Sequence, residues 1–358
     1  MSRFVRNSKY RHVFGQPAKR ENNYDNIRPS MSAHDSNIVK ANPQFISVNW
    51  QASGGGSFAV IPVGNVGKQI DALPLYNGHT APVLDTDFHP FNDHVLASAS
   101  EDCTVKIWKI QDEQKETITT PALTLNGHGR KVGYVYFHPT ADNVLMSVSA
   151  DLTCKLWDIE HGQEKLEIVG HVDQINACSY NWTGSQFAST SKDKKLRIFD
   201  IRQKSCTLSA EGHQGAKSSR VAWMGDSDYI LTTGFSKQSD RQLFIWDTKN
   251  FNEPLKQITL DSSAGVIMPF YDPDTKLIYL AGKGDGNIRY YEWDQAESNC
   301  FALSQYTSSE PQRGFAMAPK RAVNLQDTEI YKGYKLHNAM VEVISFVVPR
   351  KVLIIYIV

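Results

Sequence analysis

The sequence is short of net charge, paired cysteines, long apolar runs and catalytic signatures, and each shortage removes a class of function. The 38 basic residues are matched by 38 acidic ones. No global field therefore draws the chain toward nucleic acid or an anionic membrane. The five cysteines, Cys103, Cys154, Cys178, Cys206 and Cys300, are odd in number and form no Cys-x-x-Cys pair. That argues against a disulfide framework and against a zinc site, and it suits a reducing compartment. The longest aliphatic and aromatic run, VLIIYIV at 352–358, has seven residues. A helix crossing a bilayer takes about 20. The opening MSRFVRNSKYRHVFGQ holds no apolar stretch, so a secretory leader is not expected and a soluble cytoplasmic protein is. No heptad run occurs, so no coiled coil is expected and the chain reads as a monomer. Gly-x-Ser-x-Gly and His-Glu-x-x-His are missing. The glycine-rich stretches Gly54-Gly55-Gly56 and Gly282-Lys283-Gly284-Asp285-Gly286 lack the Gly-Lys-Ser/Thr ending that cradles phosphate, and read as turns. No enzyme activity, metal or cofactor is expected.

What is present is a repeat. Gly78-His79 is followed by Asp102 and Trp108, Gly127-His128 by Asp151 and Trp157. Gly170-His171 is followed by Asp193 and Phe199, Gly212-His213 by Asp240 and Trp246. A fifth unit lacks Gly-His but keeps Asp285 and, six residues on, Tyr291. Successive aspartates are 49, 42, 47 and 45 residues apart. That period matches one four-stranded blade of a WD40-type propeller. Between aspartate and aromatic, residues alternate. In Thr104-Val105-Lys106-Ile107-Trp108, Val105 and Ile107 share one strand face, and Thr104, Lys106 and Trp108 the other. The aspartate belongs to the tight turn before that strand, where it can bond turn backbone and the histidine. A serine of the preceding strand, Ser98 or Ser100, can take the indole N–H. The rival reading of His, Asp and Ser as a catalytic trio fails on repetition, since an active site needs to occur once. His89-Pro90 and His138-Pro139 recur at matching places and read as turn residues.

Five units leave about 75 residues before and 60 after. Phe45 to Trp50, the three glycines and Phe58 to Ile61 read as a hairpin. Glu329 to Leu336 and Val341 to Val348 read as strands. The expected fold is all-β, a seven-bladed WD40-type β-propeller. Its expected divisions are 1–34, a basic segment whose strand 4–14 pairs with the last blade; 35–75, a degenerate first blade; 76–303, five WD repeats; 304–351, a degenerate seventh blade; and 352–358, an apolar tail. Closing a ring removes the free sheet edges that invite aggregation.

Several segments lie outside the repeat consensus. Ser8 to Gln16 (SKYRHVFGQ), Tyr24-Asp25-Asn26-Ile27-Arg28, Asp35-Ser36-Asn37, Thr233-Gly234-Phe235-Ser236, Phe270 to Thr275, Pro311 to Gly314 and Val348 to Lys351 resemble the coronin family. The likeness runs from about residue 3 to 351. It implies binding to filamentous actin and roles in actin filament organisation, cortical actin patches, endocytosis and cell motility. It implies cooperation with the branched-actin nucleating complex and cofilin. Coronins continue past the matching segment into a linker and coiled coil, a pattern from which this sequence departs after Lys351. Arg28 falls on the basic position that the family associates with filament binding. The first 20 residues carry Arg3, Arg6, Lys9, Arg11, Lys19 and Arg20 and no acid; of these, Lys9, Arg11, Lys19 and Arg20 are supporting candidates. The guanidinium fork suits a partner's carboxylates. Two other readings stand beside this one. Arg28 can simply pair with Asp25 or Asp35, and the propeller can serve as a scaffold in trafficking or signalling.

Overall fold

The computed structural model describes residues 8–349. Those residues form seven antiparallel-built sheets, six of four strands and one of six, with three short 3-10 turns and no α-helix among them. The sheets are blades set round an axis, each strand order running from an inner strand outward. Blade 2 is typical: Val83–Phe88 is innermost, then Val95–Ser100, Val105–Lys109 and Leu123–Leu125.

The apolar core divides in the same way. Seven buried clusters occur, and each joins two neighbouring blades. Val105 and Ile107 face blade 3, while Trp108 faces blade 1 with Phe45, Phe58 and Tyr76. The alternation read from the sequence therefore sends one strand's side chains into two different layers. The cluster of Val39, Ile46 and Val48 with Ala316, Tyr334 and Leu336 joins blade 1 to blade 7 and completes the ring.

The amino-terminal segment fastens that ring. Phe14–Pro17 pairs antiparallel with Met340–Val347 of blade 7, Phe14 opposite Val347. Tyr24–Asp25 pairs farther along the same strand, Asp25 opposite Met340, and also takes Gly67–Lys68 in parallel. The pairing strand expected at residues 4–14 is thus displaced: it starts at Phe14, residues 9–12 form a turn, and 4–7 lie outside the described residues. Blade 1 reaches Asn77, beyond the expected limit of 75, and blade 6 reaches Thr307, beyond 303. In both, the outermost strand carries no consensus of its own. The tail 352–358 also lies outside the described residues.

Candidate functional site

Two constellations stand out, the repeated buried network and the charged amino-terminal loop. In blade 2 the Trp108 indole N–H donates to Ser98 Oγ at 2.8 Å. Ser98 Oγ lies 2.7 Å from His79 Nε2, and His79 Nδ1 lies 2.8 Å from Asp102 Oδ2. Asp102 also accepts from the N–H groups of Thr80 and Thr104, at 3.1 and 3.0 Å, and from the Thr104 hydroxyl at 2.7 Å. Burial holds the His79 imidazole below its usual range, so the neutral ring donates at Nδ1 and accepts at Nε2. Burial by itself would raise Asp102, but the His79 and Thr104 hydrogen bonds outweigh it and hold the carboxyl well below the usual range. Blade 3 repeats the pattern with Trp157, Ser147, His128 and Asp151 at 2.8, 2.7 and 2.8 Å. The histidine's neighbour must be glycine: a Cβ on Gly78 would sit 2.8 Å from the Trp108 ring and 2.6 Å from the Thr119 carbonyl. Ser98 and Ser147 are fully buried and hydrogen-bonded on both sides, so no substrate reaches either as a nucleophile. The network ties a turn to a strand, and every member is paired.

The other three repeats depart from it. In blade 4 Asp193 turns from the histidine to the Arg197 guanidinium, at 3.1 and 2.6 Å, and His171 keeps a 3.3 Å contact with Ser189. Phe199 has no N–H to donate. In blade 5 His213 and Trp246 meet on Thr232 at 3.0 and 2.9 Å, while Asp240 bonds Ser236. The cause is turn length. Thr232 and Trp246 are 14 residues apart, against 10 for Ser98 and Trp108. In blade 6 Asp285 pairs with Arg241 of the neighbouring blade at 2.8 Å. Of the aspartates assigned to the repeat network, Asp102 and Asp151 reach a histidine, and Asp193, Asp240 and Asp285 take other partners.

The face carrying the Asp102 and Asp151 turns is taken as the top. Asp25 lies opposite Met340, beside the 337–340 turn of blade 7, so the chain leaves blade 7 at the top. Arg28 follows, exposed, its carbonyl accepting from Gln51 N–H at 2.8 Å. Residues 30–37 then cross the channel mouth as a strap before entering the innermost strand of blade 1. Arg313 of blade 7 donates to Ser30 O at 2.8 Å. His34 Nε2 lies 2.9 Å from Gly133 O of blade 3, and the Tyr134 hydroxyl donates to Asp35 O at 3.0 Å. Arg220 of blade 5 and Lys283 of blade 6 both meet Asp35 Oδ1 at 3.0 Å. Burial would raise the Asp35 carboxyl, yet Arg220 and Lys283 together hold it far below the usual range. Burial, helped by Arg220, lowers His34 to about 4.

Asp35 is therefore committed to the ring, and among the described residues Arg28 makes no ion pair with it or with Asp25. The four supporting cations are all exposed but do not form one cluster. Lys9 and Arg11 precede the strand at Phe14, and Lys19 and Arg20 lie between the two paired segments. Val347 to Met340 spans roughly 23 Å at about 3.3 Å per residue, so the basic residues run along the outer edge of blade 7 from bottom to top. Asp35 was visible as a motif residue, but its partner Arg220 carried no local signal, and Lys283 had been read only as part of a glycine turn. One grouping with metal-ligand side chains occurs among the described residues, Asp158, Glu160 and His161. There Asp158 accepts from the backbone N–H groups of Glu160 and His161 and pairs with the His161 ring, which is turn chemistry. No helix among the described residues is long and apolar enough to cross a membrane.

These blades and their buried networks define a WD-repeat protein, a seven-bladed propeller. The family model described as WD domain, G-beta repeat matches residues 71–109, 119–158, 162–200 and 204–247. One described as Domain of unknown function (DUF1899) matches residues 3–68. The chain belongs to the coronin family. It is 49% identical over 362 residues to a coronin-like protein of Saccharomyces cerevisiae, covering 98% of this chain and 55% of that protein. It is 52% identical over 352 residues to Coronin-A of Dictyostelium discoideum, covering 98% of this chain and 78% of that one. The crystal structure of the WD40 domain of Toxoplasma gondii coronin superposes with a TM-score of 0.90 at 30% identity, over 95% of this chain and 88% of that chain. The chain spans little more than half the length of the yeast relative.

Proposed function

We propose that this chain binds filamentous actin through the top-edge surface around Arg28, and acts as a binding module rather than an enzyme. Coronin membership supports the partner. One observation supports the residue: the Arg28 guanidinium is exposed on a backbone tied to Gln51, while the nearby acid that could have neutralised it, Asp35, is held by Arg220 and Lys283. An exposed fork without an ion-pair partner among the described residues suits the carboxylates of an acidic filament surface. Lys9, Arg11, Lys19 and Arg20 along the edge of blade 7 would add screened, longer-range attraction. In this reading the protein works at the actin cytoskeleton and cell cortex, in filament organisation, endocytosis and motility. The branched-actin nucleating complex and cofilin are further partners. A ring with one filament site decorates filaments and does not bundle them.

The test is high-speed cosedimentation with filaments at low ionic strength. Loss of one charge-assisted contact, about 1.5–3 kcal/mol, predicts at least about tenfold weaker pelleting for Arg28→Asp. Unchanged pelleting removes Arg28 from the site. Wild-type protein that stays in the supernatant favours the scaffold reading instead.

A further inference from the structure

We propose that the open basin on the top face beside the strap is a binding site for an acidic peptide segment, one that pairs a carboxylate side chain with an apolar neighbour. The basin measures about 700 Å³ and is lined by three cations, Lys217, Lys283 and Arg313, against one carboxylate, Asp35. That carboxylate is already taken by Lys283 and by Arg220 beneath it.

The two remaining cations are held in place by neutral groups. The Lys217 ammonium donates to Ala264 O at 2.8 Å and stands 4.9 Å from the Phe235 ring centre. Arg313 donates to Ser30 O at 2.8 Å and reaches Met31 Sδ at 3.3 Å. Neither has a carboxylate partner among the described residues. Elsewhere the buried and half-buried arginines do: Arg241 has Asp261 and Asp285, and Arg197 has Asp193. Cations fixed by carbonyls and a ring, with their charge left unmatched, are pre-organised for an anion, so less ordering entropy is lost on binding. The apolar half of the ligand follows from Met31. It is 67% exposed and in contact with Arg313, next in the chain to the lining residue Ser32. Size and setting favour a peptide over nucleic acid, which needs an extended basic stripe on a net basic protein. The formal net charge here is zero.

This site borders the Arg28 surface but does not depend on it. The experiment is fluorescence anisotropy with a labelled octapeptide of alternating glutamate and leucine, beside a control with glutamine for glutamate. The glutamate peptide is expected to bind, to weaken with added salt, and to lose about tenfold or more in affinity in Lys217→Glu, the equivalent of one charged contact. Zero-length carbodiimide coupling of the peptide to wild-type protein, mapped by mass spectrometry, reads the same site without a substitution. Its products are expected at Lys217 or Lys283. Equal binding of the glutamine peptide, unchanged affinity in Lys217→Glu, or coupling to other lysines would overturn the proposal. Displacement of the peptide by millimolar inorganic phosphate would also overturn it, by showing a small-anion site. Filament pelleting of Lys217→Glu separates the two readings, since it can retain filaments while losing the peptide.

Discussion

Ser98→Ala should cost far more than Ser189→Ala, although the two serines hold the same place in blades 2 and 4. Ser98 Oγ accepts the Trp108 indole N–H at 2.8 Å and meets His79 Nε2 at 2.7 Å, with no exposure to solvent. Its removal strands two buried polar groups. At about 1–3 kcal/mol each, the expected loss is roughly 2–6 kcal/mol. Ser189 makes one 3.3 Å contact with His171 and faces a phenylalanine, so its removal should cost about 1 kcal/mol. Urea unfolding gives both numbers from the midpoints, provided the slopes match. A second cycle isolates the indole. In a Trp108→Phe background no N–H remains to be stranded, so Ser98→Ala should fall toward the Ser189 value. The coupling should lie between about 1 and 3 kcal/mol. Equal costs for the two serines, or no coupling to Trp108, would refute the claim that the hydroxyl matters as the hub of a satisfied network.

Two further outcomes follow from the same geometry. Asp35→Asn should destabilise the ring at neutral pH, because a buried Arg220 then loses its counter-charge, at a cost of about 3–5 kcal/mol. The folded-state pKa of Asp35 is depressed, so its contribution is present above the unfolded value near 4 and is lost as pH falls below it toward the folded value. Paired pH titrations of wild type and variant should therefore show the stability gap shrinking only in acid; a gap constant from pH 7 to pH 2 contradicts the ion-pair account. Gly78→Ala should cost about 1–3 kcal/mol by overpacking, since its Cβ would meet the Trp108 ring and the Thr119 carbonyl, and thermal unfolding will show it as a lowered midpoint.

The seven-blade ring was legible because its cause is local and repeated. Strand alternation and a turn aspartate recur at one period, and each recurrence checks the others. His89 and His138, read as turn residues, do accept turn N–H groups at Nδ1, from Phe91 and Asn92 and from Ala141. The sequence misled where anchoring on the aspartate hid what stood beside it. Arg197 stands four residues past Asp193, where blades 2 and 3 carry Lys106 and Lys155. Its fork reaches back to the aspartate, whereas Lys155 turns to Glu164 and Glu167. The strap was illegible for a different reason. Asp35 and Arg220 are 185 residues apart, and nothing in either neighbourhood encodes the other. The outer strand of blade 7 was foreseen as an amino-terminal contribution but misplaced, because paired stretches of four and two residues are too short to show a period.

The pairing of Phe14 with Val347 also governs the order in which the molecule can be assembled. A contact across so long a chain carries a closure entropy of about 5 kcal/mol by the logarithmic loop law, and during synthesis its second half does not yet exist. Blades 1 to 6 can each form from contiguous sequence as they emerge, whereas the amino-terminal strand at Phe14 must wait for blade 7, which is made last. Pulse-labelled amide exchange during refolding should find Tyr24 and Val341 protected last, like the buckle of a belt.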